Sequence, residues 1–223
     1  MPDGFVQRRF PRYPIQLPFA YTVRAGACPS GGAGWTRTLS EGGASLEVGE
    51  RLRPQTPLGL RLLTDRGTVE LEARVIWLGK PAPPGSGLIH GVAFTQIALA
   101  DLQTLRELFR PLVLTRQSGL RLALDLPVTC QTADPAVPPL QGRTQNVSRG
   151  GLRLRLPQLF APGTPLVVTL HTPGGPLTVE GAIAWVEPPE MWTPGESIGH
   201  GFQFAAADWI TVRALALLFL GPA

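Results

Sequence analysis

At 223 residues, 43% hydrophobic and 16% charged, the chain is longer than one minimal domain and too apolar to be generally disordered, and its length suits two domains. The formal charge of +4 and pI of about 9.8 rest almost wholly on arginine, Lys80 being the only lysine. With no Lys/Arg stripe and no interleaved aromatic platform, DNA or RNA binding is not expected, while Cys28 and Cys130 are too few for a metal cluster and too far apart for a secreted disulfide framework.

The chain opens MPDGFVQRRF, without an apolar core of signal-peptide length, and its longest uninterrupted apolar run, Ala214 to Leu220, is too short to span a bilayer. The expectation is a cytoplasmic protein without membrane insertion. Arg8, Arg9 and Arg12 near the start read, on their own, as a solvated basic tail. Gly (26) and Pro (24) are abundant, which favours short strands joined by turns. Alternation of β-branched or leucine residues with polar ones then predicts strands at Leu17–Val23, Trp35–Leu39, Ala44–Val48, Leu58–Leu63, Val69–Trp77 and Ile89–Phe94. Between them, Ala27–Gly34 and Lys80–Ser86 read as loops. Ser30-Gly31-Gly32-Ala33-Gly34 is read as a flexible loop, since it lacks the lysine and following helix of a phosphate-binding loop. Leu102, Leu105, Leu108, Phe109 and Leu112 recur at helical spacing after Asp101, a cap or first-turn acid, and predict a terminal helix that plugs a barrel mouth or packs at an interface.

The same landmarks then return at offsets of 108 to 110 residues. Leu17-Pro18 recurs as Leu126-Pro127, Ser40-x-Gly42-Gly43 as Ser148-x-Gly150-Gly151, and Pro57-Leu58 as Pro165-Leu166. The strand ending in Trp77 recurs as one ending in Trp185, and His90-Gly91 recurs as His200-Gly201. Ala133–Leu140 and Pro188–Glu196 are the loops of this second copy, and Val212, Leu215, Leu218 and Phe219, after Asp208, its helix. A period of this length marks duplicated domains, placed at 1–114 and 115–223 with the boundary within Leu112–Leu120. The architecture expected is all-β with terminal helices: two consecutive six-stranded antiparallel barrels, each followed by an α-helix.

Two short patterns sharpen this. Arg8-Arg9-Phe10-Pro11-Arg12 is an RxxxR arrangement leading into the first strand, and Asn146-Val147-Ser148-Arg149-Gly150-Gly151 is an NxSxxG turn. Their counterparts are imperfect. The first copy's turn begins with Thr38 before Ser40 and Gly43, and the second copy's leading segment places Arg121 opposite Arg12 but Gln117 opposite Arg8, with Arg116 one residue out of register. With these motifs in order and repeated, the chain resembles tandem PilZ domains, bacterial receptor modules for cyclic di-GMP. The resemblance implies a non-enzymatic effector with cyclic di-GMP as ligand, no cofactor and no metal. It implies ligand contacts from Arg8, Arg9, Arg12, Thr38, Ser40 and Gly43 in one copy and Arg116, Gln117, Arg121, Asn146, Ser148 and Gly151 in the other.

Such residues suit that ligand. Arginine forks match phosphate and the O6/N7 edge of guanine, and a flexible arginine segment can close over the ligand. Asn and Ser can bond the guanine edge, and glycine lets backbone approach a flat base. Losing an arginine should cost more than Asn-to-Thr, so the first copy is narrowly preferred, the second if Arg116 reaches the ligand. Ligand binding would then reorient the barrels or alter binding to a downstream protein. The rival implied by the same family is an interaction module without ligand, serving motility or pilus assembly. His90 and His200, being repeated beside glycine, read as structural, and His171 stands alone without metal-ligand spacing. Trp77 and Trp185 read as core and Trp192 as an exposed partner contact. No nucleophile with a convergent base is visible.

Overall fold

The computed structural model describes residues 10–24, 30–80, 85–114, 121–132, 134, 136–193, 195–205 and 208–220. Arg8, Arg9, Arg116 and Gln117 lie outside them. The chain divides into two compact units between residues 119 and 120.

In the first unit, strands β1 (Pro18–Val23), β2 (Ser30–Ser40), β3 (Gly43–Val48), β4 (Pro57–Thr64), β5 (Gly67–Leu78) and β6 (Leu88–Ile97) precede helix α1 (Leu99–Leu114). Neighbouring strands are antiparallel in the order β1-β2-β3-β6-β5-β4, and β4 pairs back onto β1 to close a barrel, which leaves no open sheet edge. Strand alternation turns Leu58, Leu60 and Leu62, and Val69, Leu71, Ala73 and Val75, into the core. Helix α1 packs at the end where the hairpin turns lie: Arg106 pairs with Glu41 of the β2–β3 turn at 2.7 Å, and Glu107 pairs with Arg66 of the β4–β5 turn. Leu105, Leu108 and Phe109 bury its apolar stripe.

The second unit repeats the plan with β7 (Leu122–Ala123), β8 (Pro127–Thr132), β9 (Leu140–Ser148), β10 (Gly151–Leu156), β11 (Pro165–Thr172), β12 (Gly175–Val186), β13 (Ile198–Phe204) and α2 (Trp209–Leu220). Strands β8, β9, β10, β13, β12 and β11 close the second six-stranded barrel, and β7 adds a short extra pairing to β9. Asp208 caps α2 by accepting the Thr211 N–H at 2.8 Å. Cys130 is buried in this core, where desolvation pushes its thiol up to about 12 and keeps it protonated and unreactive. Among the described residues no helix is long and apolar enough to cross a membrane.

Three expectations are corrected. Ser30–Gly34 is not a loop but the first part of β2, paired with β1 from Val23 to Phe19. Its glycines answer close packing: a Cβ on Gly32 would meet the Tyr21 hydroxyl at 2.8 Å, and one on Gly34 would meet the Glu47 carbonyl at 2.2 Å and the Phe19 ring at 2.9 Å. Trp77 and Trp185 are not core. Register shifts at Val75/Trp77 and Ile183/Trp185 turn them outward, where Trp77 is 38% exposed and Trp185 half-buried, their rings filling the space a side chain would take on Gly91 and Gly201. Trp192 is half-buried rather than free, its Nε1–H donating to the Glu187 carbonyl at 2.8 Å beside a short 3-10 turn, Pro189–Met191.

Candidate functional site

Each barrel ties its arginine segment to its Ser-x-Gly-Gly turn by the same device. In the first, the Thr36 hydroxyl is fully buried, accepts the Leu17 N–H at 2.9 Å and donates to the Ile15 carbonyl at 2.6 Å. In the second, Thr144 accepts from the Leu126 N–H at 2.9 Å and donates to the Leu124 carbonyl at 2.5 Å. A backbone bridge follows: Tyr13 exchanges hydrogen bonds with Leu39 at 2.8 and 2.9 Å, and Leu122 pairs with Val147. Arg12 and Arg121, both exposed, each stand one residue before that bridge, and Ser40 and Ser148 one residue after it on the facing strand. The second arginine of each clamp is thereby held alongside the turn. Sequence reasoning missed the threonines, although Thr36-x-x-Leu39-Ser40 and Thr144-x-x-Val147-Ser148 repeat in register.

The turn residues serve the turn itself as well. Ser40 donates to the Gly43 carbonyl at 2.9 Å and Ser148 to the Gly151 carbonyl at 3.3 Å, so their oxygens keep only acceptor capacity for a ligand. Gly43 and Gly151 are glycine because a Cβ would lie 2.3 Å from the Val92 or Phe202 carbonyl of the neighbouring strand, so close strand packing already accounts for them. The flanking Gly42 carries the Phe10 ring, whereas nothing lies within 4 Å of a Cβ built on Gly150.

Beyond the turns the two outer faces differ. In the first barrel Thr38 pairs with Ser45 across β2–β3, their hydroxyls 2.9 Å apart, and the next outward position of β3 is Glu47, a buried acid 3.3 Å from Arg37. Arg106 of α1 holds Glu41 of the turn, Tyr13 stacks on Phe109 at 4.8 Å between ring centroids, and Phe10 lies over Gly42. That turn is covered and its face carries acid. In the second barrel Asn146 pairs with Arg153 and Arg143 with Arg155 across β9–β10. Arg153 and Arg155 share one carboxylate, Glu187, at 2.8 and 3.4 Å, and Asp125 pairs with Arg143 at 2.7 Å, a contact that holds the Asp125 carboxyl below its usual range. Sequence reasoning missed Arg153, Arg155 and Glu187. The outward alternation of the two arginines between Leu152, Leu154 and Leu156 was the available signal. Among the described residues no group of His, Cys, Asp and Glu is placed to hold a metal ion.

The PilZ domain model matches the chain twice, over residues 6–110 and 115–219. The chain belongs to the PilZ domain family. No curated protein matches it. Its structure is similar to those of Escherichia coli YcgR in complex with c-di-GMP (13% identity, 92% of this chain and 82% of that one, TM-score 0.39) and the Bacillus subtilis inhibitor of motility MotI/DgrA (10%, 92% and 94%, 0.38). It is also similar to the PilZ domain of CeSA from a cellulose-synthesizing bacterium (25%, 46% and 97%, 0.34).

Each PilZ barrel also holds a buried histidine. The Leu52 N–H donates to His90 Nε2 at 3.0 Å and the Phe160 N–H to His200 Nε2 at 3.2 Å, so Nδ1 carries the proton and donates to the Leu88 or Ile198 carbonyl. Both are structural, as the repeat implied. Burial is the larger cause that lowers both pKa values from 6.5, because protonation would set an N–H against an N–H in a dry site. The unfolded chain therefore binds protons first as the pH falls. Stability is complete above about pH 6.5 and declines below it, by at most about 1.4 kcal/mol per pH unit per histidine, until the lowered folded pKa is reached. Urea unfolding at pH 7.5 and 5.5 should show both barrels weakened at the lower pH, and equal stability would contradict it.

Proposed function

We propose that the chain is a cyclic di-GMP receptor, not an enzyme, and that its second PilZ barrel carries the ligand site. The observation that carries this is the pairing of Asn146 with Arg153, both half-buried, beside the complete Asn146-x-Ser148-x-x-Gly151 turn. Arg121 stands at the bridge to that turn, and Arg116 and Gln117 belong to the same leading segment. Two guanidiniums sharing one carboxylate leave positive charge for a ligand with two phosphates, and charge-assisted bonds are about twice as strong as neutral ones. The sequence preference for the first barrel rested on its complete arginine pair. Glu47 on its face, the Glu41–Arg106 pair and Phe10 over Gly42 weigh against it and favour a role for that barrel in protein interaction.

The segment bearing Arg116 and Arg121 joins the two units, so ligand contacts there would change interdomain geometry or the binding of a downstream protein. Calorimetric titration of the full chain with cyclic di-GMP should show saturable binding at one site. Absence of binding at about 100 µM, roughly −5.5 kcal/mol, would leave the interaction-module reading in its place.

A further inference from the structure

The second PilZ barrel holds a guanidinium beside its turn that neither the arginine pair nor the Asn-x-Ser motif includes. Arg153 follows the turn glycine Gly151 by two residues and pairs in register with Asn146. Its Nη2 donates to Glu187 Oε1 at 2.8 Å, and its Cζ lies 5.6 Å from the centre of the Trp185 ring. The groups that hold it are themselves held. Trp185 is seated on Gly201, and the Glu187 carboxylate accepts the Gly199 N–H at 3.2 Å and pairs with Arg155. Stacked on an indole and ion-paired on one side, Arg153 is a preorganised fork with few rotamers left to lose on binding. Its side chain is still 31% exposed, although its Nε–H is buried and has no acceptor among the described residues. The first barrel has Ser45, Glu47 and Gly79 where the second has Arg153, Arg155 and Glu187.

We infer that Arg153 is a further ligand-binding residue of the second barrel, presenting its fixed guanidinium to the O6/N7 edge of a guanine held beside Asn146. The inference rests on the cyclic di-GMP reading above. A fork fixed by stacking and an ion pair matches a planar, directional pair of acceptors. A phosphate can take the same fork, and it is the pairing in register with Asn146, which can bond the guanine edge, that favours the base.

A chemical double-mutant cycle tests it on the full chain, with wild type, Arg153→Ala and Arg153→Lys each titrated calorimetrically against cyclic di-GMP and its 7-deazaguanine analogue, which lacks N7. Arg153→Lys keeps the charge that pairs with Glu187 and guards against a folding defect in the alanine variant. Both variants should bind cyclic di-GMP about tenfold or more weakly than wild type. The analogue should bind wild type weakly but lose little further in the variants. Equal losses for both ligands would overturn the base contact, and unchanged affinity in both variants would overturn any contact. A wild type that fails to bind cyclic di-GMP would overturn the receptor reading itself, and this inference with it.

Discussion

Arg121→Ala should weaken cyclic di-GMP binding by about tenfold to hundredfold, while Arg12→Ala leaves it within about twofold. The size follows from one or two charge-assisted hydrogen bonds, about 1.5–3 kcal/mol in a desolvated contact. The asymmetry follows from the faces on which the two arginines stand. Both are exposed and one residue from the backbone bridge to their turn, so geometry alone gives them equal access. Arg12, however, faces a turn capped by Phe10 and by the Glu41–Arg106 pair, with buried Glu47 further along the strand. An incoming phosphate would meet there two acids already paired with arginine, Glu41 with Arg106 and Glu47 with Arg37. Arg121 stands one residue before the bridge from Leu122 to Val147, beside the turn whose Asn146 pairs with Arg153. Calorimetry on both variants reads affinity and stoichiometry together. Loss in Arg12→Ala alone would move the site to the first barrel, and loss of half the stoichiometry in each variant would mean that both barrels bind.

Thr144→Val should destabilise the second barrel by about 2–5 kcal/mol and weaken ligand binding along with it. Valine keeps the shape but strands two part-buried partners, the Leu126 N–H and the Leu124 carbonyl, at about 1–3 kcal/mol each. For a domain of this size the melting temperature should fall by some 4–8 °C per kcal/mol, so the shift is large. Those two backbone groups lie between Arg121 and the first strand of the barrel, and loosening them frees the arginine from its place beside the turn. Thr36→Val should destabilise the first barrel by a similar amount, through the Leu17 N–H and Ile15 carbonyl, without affecting ligand affinity. Thermal melts followed with and without cyclic di-GMP separate the two effects. Equal loss of affinity in both threonine variants would contradict the assignment of the site.

Most strands were legible because alternation and Gly/Pro punctuation report local geometry, and the duplication let each copy check the other. The failures share a cause. Ser30–Gly34 looked like a loop since glycine is the usual residue of loops, but here it answers Tyr21, Phe19 and the Glu47 carbonyl, which lie elsewhere in the sequence. Trp77 and Trp185 were correctly paired with each other and placed on the wrong side, because a one-residue bulge reverses the parity on which the inward reading depends. The NxSxxG turn was visible as a motif. That its serine closes the hairpin, and that its last glycine makes room for a neighbouring carbonyl, required the strands to be assembled.

By itself the sequence determined the family, the duplication, the closed antiparallel barrels with their terminal helices, and the places where arginine segments meet turns. These are properties of local period and of repeated order. Only the tertiary structure decided how unlike the two copies are. Pairing across β9–β10 sets Asn146 opposite Arg153, and pairing across β2–β3 sets Thr38 opposite Ser45 and brings Glu47 onto the same face. The physical reason is that charge on a barrel face is summed across neighbouring strands, and residues that are neighbours on that face are strangers in the chain.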